Sequence, residues 1–214
     1  QNKIQKITLI GAGEILLNTA KYLISKGKEI LVIVAPRHAD DTFIKVLKQL
    51  NCEILISEEV NGQKKVTKMM KNYNDLALCF GPAWIFNKEI INIFRKRIFN
   101  YNGIPLPNYL GGAHYTWQIL NKDFQGGSYI QQITEKIDRG PIVASSKYEI
   151  NLENKNPISY EKINIEEGFK LLREFFENKI FEDPFLTTNN HEISWDQLTY
   201  FPRLNTKKNA WINW

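Results

Sequence analysis

Apolar and polar positions follow a repeating pattern along the first hundred residues. Unbroken apolar runs occupy 6–10, 29–35, 52–56 and 76–80, and another begins at 97. Between several of these runs, apolar residues recur at helical spacing over 14–26, 42–50 and 88–94. Strands that are buried on both faces and alternate with helices are typical of a parallel sheet covered by helices on both sides. The pattern therefore predicts an α/β fold with a mainly parallel sheet.

The pattern changes after residue 100. The segment 102–112 holds three glycines and two prolines, which predicts an irregular loop. A short helix is expected at 115–121, and alternation over 128–133 and 142–150 predicts two antiparallel strands. An amphipathic helix is expected at 165–178, with an apolar side formed by Phe169, Leu172, Phe175 and Phe176. We expect one domain over 1–184 and a small, polar C-terminal extension over 185–214.

Composition and charge narrow the class of protein. Runs of about 18 apolar residues are absent, so no transmembrane helix is expected, and the first ten residues lack a signal-peptide pattern. Cys52 and Cys79 each lie in an apolar stretch and are expected to be buried free thiols, which favours the cytoplasm. Two cysteines and three scattered histidines predict no metal site. The net charge of +5 suits a polyanionic partner such as a nucleotide or tRNA, and it also suits a lysine-rich solvated surface.

A glycine turn, Gly11-Ala12-Gly13, joins the first predicted strand to the first predicted helix. Dinucleotide sites begin in this way, because the helix N-terminus then faces a pyrophosphate. However, Leu16 replaces the third glycine of G-x-G-x-x-G, and no acidic residue ends the second strand to hold a ribose. Arg37 leaves an NADP site open as one interpretation. The other is a tight first turn of the kind common to many α/β folds.

Spaced motifs in the middle of the chain carry a resemblance to a known family. Asn100 lies at the fifth predicted strand, the following loop holds Leu106-Pro107 and Gly111, and Trp117 and Asp138 come after it. In this order and spacing, residues 6–150 resemble the formyltransferase family, which includes methionyl-tRNA, glycinamide ribonucleotide and sugar N-formyltransferases. The resemblance implies a Rossmann-like formyltransferase fold, and transfer of a formyl group from 10-formyltetrahydrofolate to a primary amine.

The resemblance also implies a set of catalytic residues. In the family, an asparagine and a histidine flank the oxygen on which negative charge develops, and an aspartate orients the histidine and handles protons. Asn100 and Asp138 match the asparagine and the aspartate, whereas Asn102 stands where the family has its histidine. An asparagine still donates hydrogen bonds through its NH2 group, but it cannot titrate. His114 or Tyr115 is a candidate for the proton transfer, and the alternative is that His114 is an ordinary loop histidine.

For the formyl donor, the resemblance implies a pterin pocket between two loops. The expected contacts are Trp84, Ile85 and Phe86 after the fourth strand, and Thr134, Glu135 and Asp138 on the facing loop. Backbone N–H and C=O groups in such loops suit the alternating donors and acceptors of a pterin edge. The alternative is that residues 84–86 simply belong to the core.

The C-terminal stretch bears on the amine acceptor. The segments 200–206 and 211–214 resemble the part that follows the catalytic domain in tRNA and sugar enzymes alike, and tRNA enzymes then add a further domain that is not expected here. The segment Pro202-Arg203-Leu204 is similar to the sugar N-formyltransferases. We therefore expect a nucleotide-linked amino sugar as acceptor ahead of aminoacyl-tRNA, and the resemblance also allows a homodimer. A folate- or nucleotide-binding homologue with impaired catalysis is the alternative that Asn102 supports.

Overall fold

The computed structural model describes residues 4–137, 139–151, 153, 156–177 and 195–205. Its strands are β1 (Lys6–Gly11), β2 (Glu29–Val34), β3 (Glu53–Ile56), β4 (Leu76–Phe80), β5 (Ile98–Asn102), β6 (Leu110–Gly111), β7 (Gln125–Gln132), β8 (Ile142–Glu149) and β9 (Tyr200–Phe201). Its helices are α1 (Glu14–Ser25), α2 (Asp41–Gln49), α3 (Lys64–Asn72), α4 (Lys88–Ile93), α5 (His114–Leu120) and α6 (Pro157–Phe175), with 3-10 turns at Pro36–His38 and Trp195–Gln197.

Seven strands form one sheet in the order β3-β2-β1-β4-β5-β7-β8. The first five of these pair in parallel, and β7 and β8 then add to β5 as antiparallel strands. β5 is therefore the strand at which the sheet changes from parallel to antiparallel pairing. The predicted α/β fold with a mainly parallel sheet is confirmed.

The two faces of the sheet are covered by different helices, because side chains alternate across each strand. Leu9, Val32, Leu78 and Phe99 lie on one face with apolar residues of α1, α2 and α6. Their neighbours Ile10, Leu31, Cys79 and Ile98 lie on the other face with residues of α3 and α4. Apolar side chains on both faces of each strand explain why the runs in the sequence are unbroken.

The glycine turn between β1 and α1 has a steric explanation. Gly11 has a φ of 123°, and a Cβ at this position would collide with the carbonyl oxygen of Phe80 on the neighbouring strand. Gly13 precedes α1 and has a φ of 100°, and no side chain caps the helix there. Close packing of β1 on β4 therefore accounts for the first glycine, while the second leaves the first turn of α1 without a side-chain cap.

A buried hydrogen-bond network fastens β5 to α6. The hydroxyl group of Tyr101 lies 3.1 Å from the Oγ of Ser128 and donates to the Oδ1 of Asn164 at 3.1 Å. The Nδ2 of Asn164 in turn donates to the hydroxyl group of Tyr148 at 2.7 Å. Gly168 lets α6 approach, because a Cβ there would collide with the Tyr101 hydroxyl. The network fixes the face of β5 that points away from the amides described below.

A second, two-stranded sheet ties the segment 195–205 to the loop after β5. β6 and β9 pair in parallel, with Leu110 opposite Tyr200. Phe201 stacks on Tyr109 with ring centroids 5.0 Å apart, and the indole N–H of Trp117 donates to the carbonyl of Pro202 at 3.0 Å. Residues well separated along the chain thus hold this loop in place, and the domain boundary at 184 stays a prediction.

The two cysteines are both free thiols, and Cys79 is buried whereas Cys52 is half-buried. Burial raises the pKa of Cys52 to about 11 and that of Cys79 further. Within the described ranges, no helix is long and apolar enough to cross a membrane.

Candidate active site

Two asparagines on β5 form the centre of the candidate site. Asn100 and Asn102 are two residues apart on one strand, so their side chains leave the same face of the sheet. The Nδ2 of Asn100 donates a hydrogen bond to the Oδ1 of Asn102 at 2.9 Å. Tyr101, between them, points to the opposite face and into the network with Asn164. The period of the strand thus pairs the two amides predicted to act together.

A third amide continues this pair. Gln131 lies opposite Asn100 in the antiparallel register of β5 and β7, and its side chain is only 3% exposed. The Nδ2 of Asn102 donates to the Oε1 of Gln131 at 3.3 Å, and the Nε2 of Gln131 donates to the backbone carbonyl of Gly140 at 2.9 Å. We call Asn100, Asn102 and Gln131 the amide ladder. At the other end of the ladder, the Oδ1 of Asn100 is buried and has no hydrogen-bond partner among the described residues.

A first cavity of about 250 Å³ opens beside the ladder. It is lined by five of the six residues predicted to contact the folate: Trp84, Ile85, Phe86, Thr134 and Glu135. Asn100 and Gln131 line it as well, and the sixth predicted contact, Asp138, lies outside the described residues. Ile85 is 67% exposed, whereas Phe86 is 8% exposed and also belongs to the core. Phe86 is therefore a core residue, whereas contact of Ile85 with a pterin stays a prediction.

Polar contacts hold the walls of this first cavity. The indole N–H of Trp84 donates to the carbonyl of Glu58 at 2.8 Å, which fixes the plane of the ring. Glu135, which lines the cavity, forms an ion pair at 3.5 Å with Lys88 at the start of α4, and both side chains are more than half exposed. Such an exposed pair contributes little to stability, at most about 1 kcal/mol.

A second cavity, of about 660 Å³, lies on the other side of the ladder. Its floor is formed where three parallel strands end: Ala12 and Gly13 follow β1, Gly81 follows β4, and Asn102 ends β5. Ligands of open α/β sheets bind at this edge. Pro82 lines both cavities, so the two spaces meet beside the two asparagines.

His114 and Tyr115 lie at the start of α5 and line the second cavity together with Asn102. Their rings meet edge to face with centroids 4.1 Å apart. Burial lowers the pKa of His114 to about 4 and raises that of Tyr115 far above its usual value. Both side chains are therefore neutral near pH 7. A neutral imidazole can accept a proton, although a pKa this low makes it a weak base.

The structure brings together most, though not all, of the predicted site. Asn100 and Asn102 are in direct contact, and His114 faces the same cavity as Asn102. Asp138 lies outside the described residues, so its predicted position beside the asparagines stays a prediction. Among the residues described, no group of three or more His, Cys, Asp or Glu side chains is arranged to hold a metal ion.

Comparisons with known proteins found related sequences. A family model described as formyl transferase matches residues 18–174. A methionyl-tRNA formyltransferase of Thermodesulfovibrio yellowstonii is 25% identical over 97% of this chain and 68% of its own length. Another, from Borrelia turicatae, is 30% identical over 62% of this chain and 44% of its own length. The chain spans about half or less of the length of most of these curated relatives.

Solved structures share the fold at low sequence identity. WlaRD, a sugar 3N-formyl transferase crystallised in the presence of dTDP and 5-N-formyl-THF, has a TM-score of 0.72 at 19% identity, covering 94% of this chain and 70% of that one. The N-formyltransferase of Helicobacter canadensis in complex with folinic acid and dTDP-3-aminofucose has a TM-score of 0.64 at 18% identity, covering 93% and 71%. A formyltetrahydrofolate deformylase of Pseudomonas syringae pv. tomato has a TM-score of 0.71 at 14% identity, covering 88% and 65%. Because the family model matches the greater part of the sequence, this chain belongs to the formyl transferase family.

Proposed function

We propose that this protein transfers a formyl group from 10-formyltetrahydrofolate to a primary amine. The observation that carries the proposal is the position of the amide pair between two cavities. Asn100 lines the first cavity, Asn102 lines the second, and their side chains are hydrogen-bonded to each other. A formyl donor in one cavity and an amine in the other meet at these two amides.

The first cavity suits the pterin end of the donor. Ile85 and the ring of Trp84 offer a flat apolar surface, and the strand end at 132–135 brings backbone N–H and C=O groups to the opposite side. A pterin presents an apolar face and an edge of alternating donors and acceptors, so it is complementary to both. Family membership supports a folate donor here.

The amides then act on the developing charge. When the amine nitrogen attacks the formyl carbon, the carbonyl oxygen becomes negative, and the C–N bond to the folate nitrogen breaks as that charge collapses. The NH2 groups of Asn100 and Asn102 are the donors nearest this junction and stabilise the oxygen, a contribution worth about 3 kcal/mol per donor. The amine gives up one proton and the folate nitrogen takes up one.

The proton path belongs to residues other than Asn102, which cannot titrate. Asp138 takes this role in the proposal, because it matches the family's aspartate in D-x-G-x-I. His114 is the second candidate, since its neutral imidazole lines the cavity assigned to the amine. The single substitutions Asp138→Asn and His114→Phe distinguish the two candidates, because replacing the true base should lower the rate by at least about 10²-fold.

We assign the acceptor to the class of nucleotide-linked amino sugars. The uncapped first turn of α1, at Gly13 and Glu14, lines the second cavity, and helix N-termini with free N–H groups bind phosphate. A phosphate at that turn would leave the sugar toward Asn102. The sugar N-formyltransferases with matching folds, crystallised with dTDP or a dTDP-sugar, support the same assignment.

Methionyl-tRNA is the second candidate acceptor, because the curated relatives that match this chain are methionyl-tRNA formyltransferases. The experiment incubates the protein and 10-formyltetrahydrofolate with dTDP-3-amino sugars or with methionyl-tRNA, and detects the formylated product by mass spectrometry. The Asn100→Ala variant is the matched inactive control. A formylated sugar supports the assignment, and formyl-methionyl-tRNA alone moves it to tRNA.

Three further outcomes would overturn the proposal of amine formylation. Release of free formate with either acceptor would indicate hydrolysis of the donor by water, as the likeness to a deformylase allows. Binding of folinic acid in calorimetry without any product would indicate a binding protein that has lost the chemistry. Absence of both binding and product would remove the folate site as well.

A further inference from the structure

The amide ladder has a direction, and a backbone group sets it. The carbonyl of Gly140 can only accept a hydrogen bond, so Gln131 must present its Nε2 to it at 2.9 Å. The Oε1 of Gln131 then faces Asn102, whose Nδ2 must donate to it at 3.3 Å. The Oδ1 of Asn102 is left to accept from the Nδ2 of Asn100 at 2.9 Å. Every amide in the ladder is thereby oriented from one end.

Each alternative orientation brings two oxygens together. Turning Gln131 around would set its Oε1 against the Gly140 carbonyl, and turning Asn102 around would set its Oδ1 against the Oε1 of Gln131. Gln131 is 3% exposed, so water does not easily relieve such a contact. The observed direction is therefore the one in which each contact between Asn100 and Gly140 pairs a donor with an acceptor.

The direction matters because an asparagine stands at position 102. An amide has an oxygen end and a nitrogen end of nearly equal shape, so packing alone does not decide which end faces the reaction. In the observed direction, the NH2 groups of Asn100 and Asn102 each use one N–H inside the ladder and keep the other. In the reversed direction, the oxygen of each amide takes the place of its NH2 group.

We propose that Gln131 is a positioning residue, which holds Asn100 and Asn102 in the orientation that keeps one N–H of each available to the developing oxyanion. It acts through Asn102, and its own NH2 is engaged by Gly140. This inference rests on the proposed formyl transfer. The family motif identifies Asn100 and the position of Asn102, whereas Gln131 belongs to no motif noted in the sequence and emerges only from the register of β5 and β7.

Two substitutions separate positioning from filling of space. Gln131→Met keeps the volume but accepts no strong hydrogen bond from Asn102, so the amide pair loses its preferred direction. In this buried position Gln131→Glu should be protonated, so that its O–H donates to the Gly140 carbonyl while its other oxygen still accepts from Asn102, and the direction is kept. If Gln131 only fills space, methionine is the better replacement; if it orients the amides, glutamate is.

The kinetic expectation follows from the populations of the two directions. With Gln131→Met, kcat falls about 2-fold if both directions become equal, and up to about 10²-fold if the reversed one dominates. The KM for 10-formyltetrahydrofolate stays near the wild-type value, since the walls of the first cavity are intact. Gln131→Glu keeps kcat closer to wild type than Gln131→Met does. A Met variant as fast as wild type, or faster than the Glu variant when both are folded, would overturn the proposal.

A spectroscopic measurement on the unliganded protein tests the ladder without turnover. In 15N-labelled protein, the side-chain NH2 signals of Asn100 and Asn102 should show one hydrogen-bonded, slowly exchanging proton each, and Gln131→Met should remove that protection from Asn102. Unchanged signals in the Met variant overturn the inference even if the Glu variant fails to fold. If the signals change as expected while no acceptor is formylated, the ladder stands and the proposed reaction fails.

Discussion

Replacing Asn102 with alanine removes the middle of the amide ladder and tests both stability and catalysis. The Nδ2 of Asn100 loses its acceptor at 2.9 Å, and the Oε1 of buried Gln131 loses its donor at 3.3 Å. At about 1 kcal/mol for each hydrogen bond, the free energy of unfolding should fall by about 2 kcal/mol. For a chain of 214 residues, this lowers the Tm by roughly 4–8 °C.

The effect on catalysis should be larger than the effect on stability. Asn102→Ala removes one of the two proposed donors to the developing oxyanion, so kcat for formyl transfer should fall by about 10²–10³-fold. The assay measures formylated product over time at saturating donor, and thermal unfolding is followed separately. Asn74→Ala is the matched control, because Asn74 is also a partly buried asparagine, donating to the carbonyl of Ile93 at 3.4 Å outside the site. A lowered Tm with an unchanged kcat would refute the catalytic role of Asn102.

Three further predictions concern titratable groups. Asn102→His should raise turnover by up to about 10²-fold and add a limb near neutrality to the pH–rate profile, because imidazole can transfer the proton that an amide cannot; a flat profile without gain contradicts this. The pKa of His114 is about 4 in the folded protein, below its ordinary value, so its contribution to stability is present above about pH 6.5 and is lost as the pH falls through 4. Chemical denaturation from pH 7 to 4 should therefore show a pH slope smaller by up to about 1.4 kcal/mol per pH unit in His114→Phe, which keeps the ring contact with Tyr115; equal slopes would contradict it. Burial raises the pKa of the Cys79 thiol far above neutrality, so thiol reagents should label Cys79 only after the protein unfolds. If Cys79 in the native protein is labelled as fast as a free thiol in solution, its buried position is contradicted.

The sequence contains strong signals for the parallel half of the fold. Buried strands such as β2 and β4 consist almost entirely of apolar residues, so their positions can be read directly from the sequence. By contrast, α3 was not predicted, because four lysines in nine residues leave only Val66, Met69 and Met70 as apolar positions. Helix α6 starts at Pro157 rather than at the predicted residue 165, and Asn156 caps it by accepting from the backbone N–H of Ser159. An Asn-Pro pair is a start signal that apolar periodicity alone overlooks.

The candidate site was predictable only as far as local motifs reach. Asn100 and Asn102 are two residues apart on a strand, so their common face follows from the period of the strand. Gln131 was missed because its contact depends on the register between β5 and β7, which no local pattern fixes. The pairing of Leu110 with Tyr200 is equally invisible, since it joins two-residue strands that lie far apart along the chain.

The small β6–β9 sheet gives the two cavities unequal resistance to opening. The wall of the second cavity at Leu110 and Gly111 is held by hydrogen bonds from the backbone N–H groups of Leu110 and Gly112 to the carbonyls of Thr199 and Phe201. The backbone N–H of Tyr109 also donates to the Oγ1 of Thr199, across 90 positions of sequence. Such a short pairing at the edge of a domain opens at a lower free energy than central strands such as β4. In amide hydrogen exchange, the N–H groups of Leu110 and Gly112 should therefore lose protection well before those of β4. This wall of the second cavity can then open and close by a local transition, while the central strands of the main sheet stay folded.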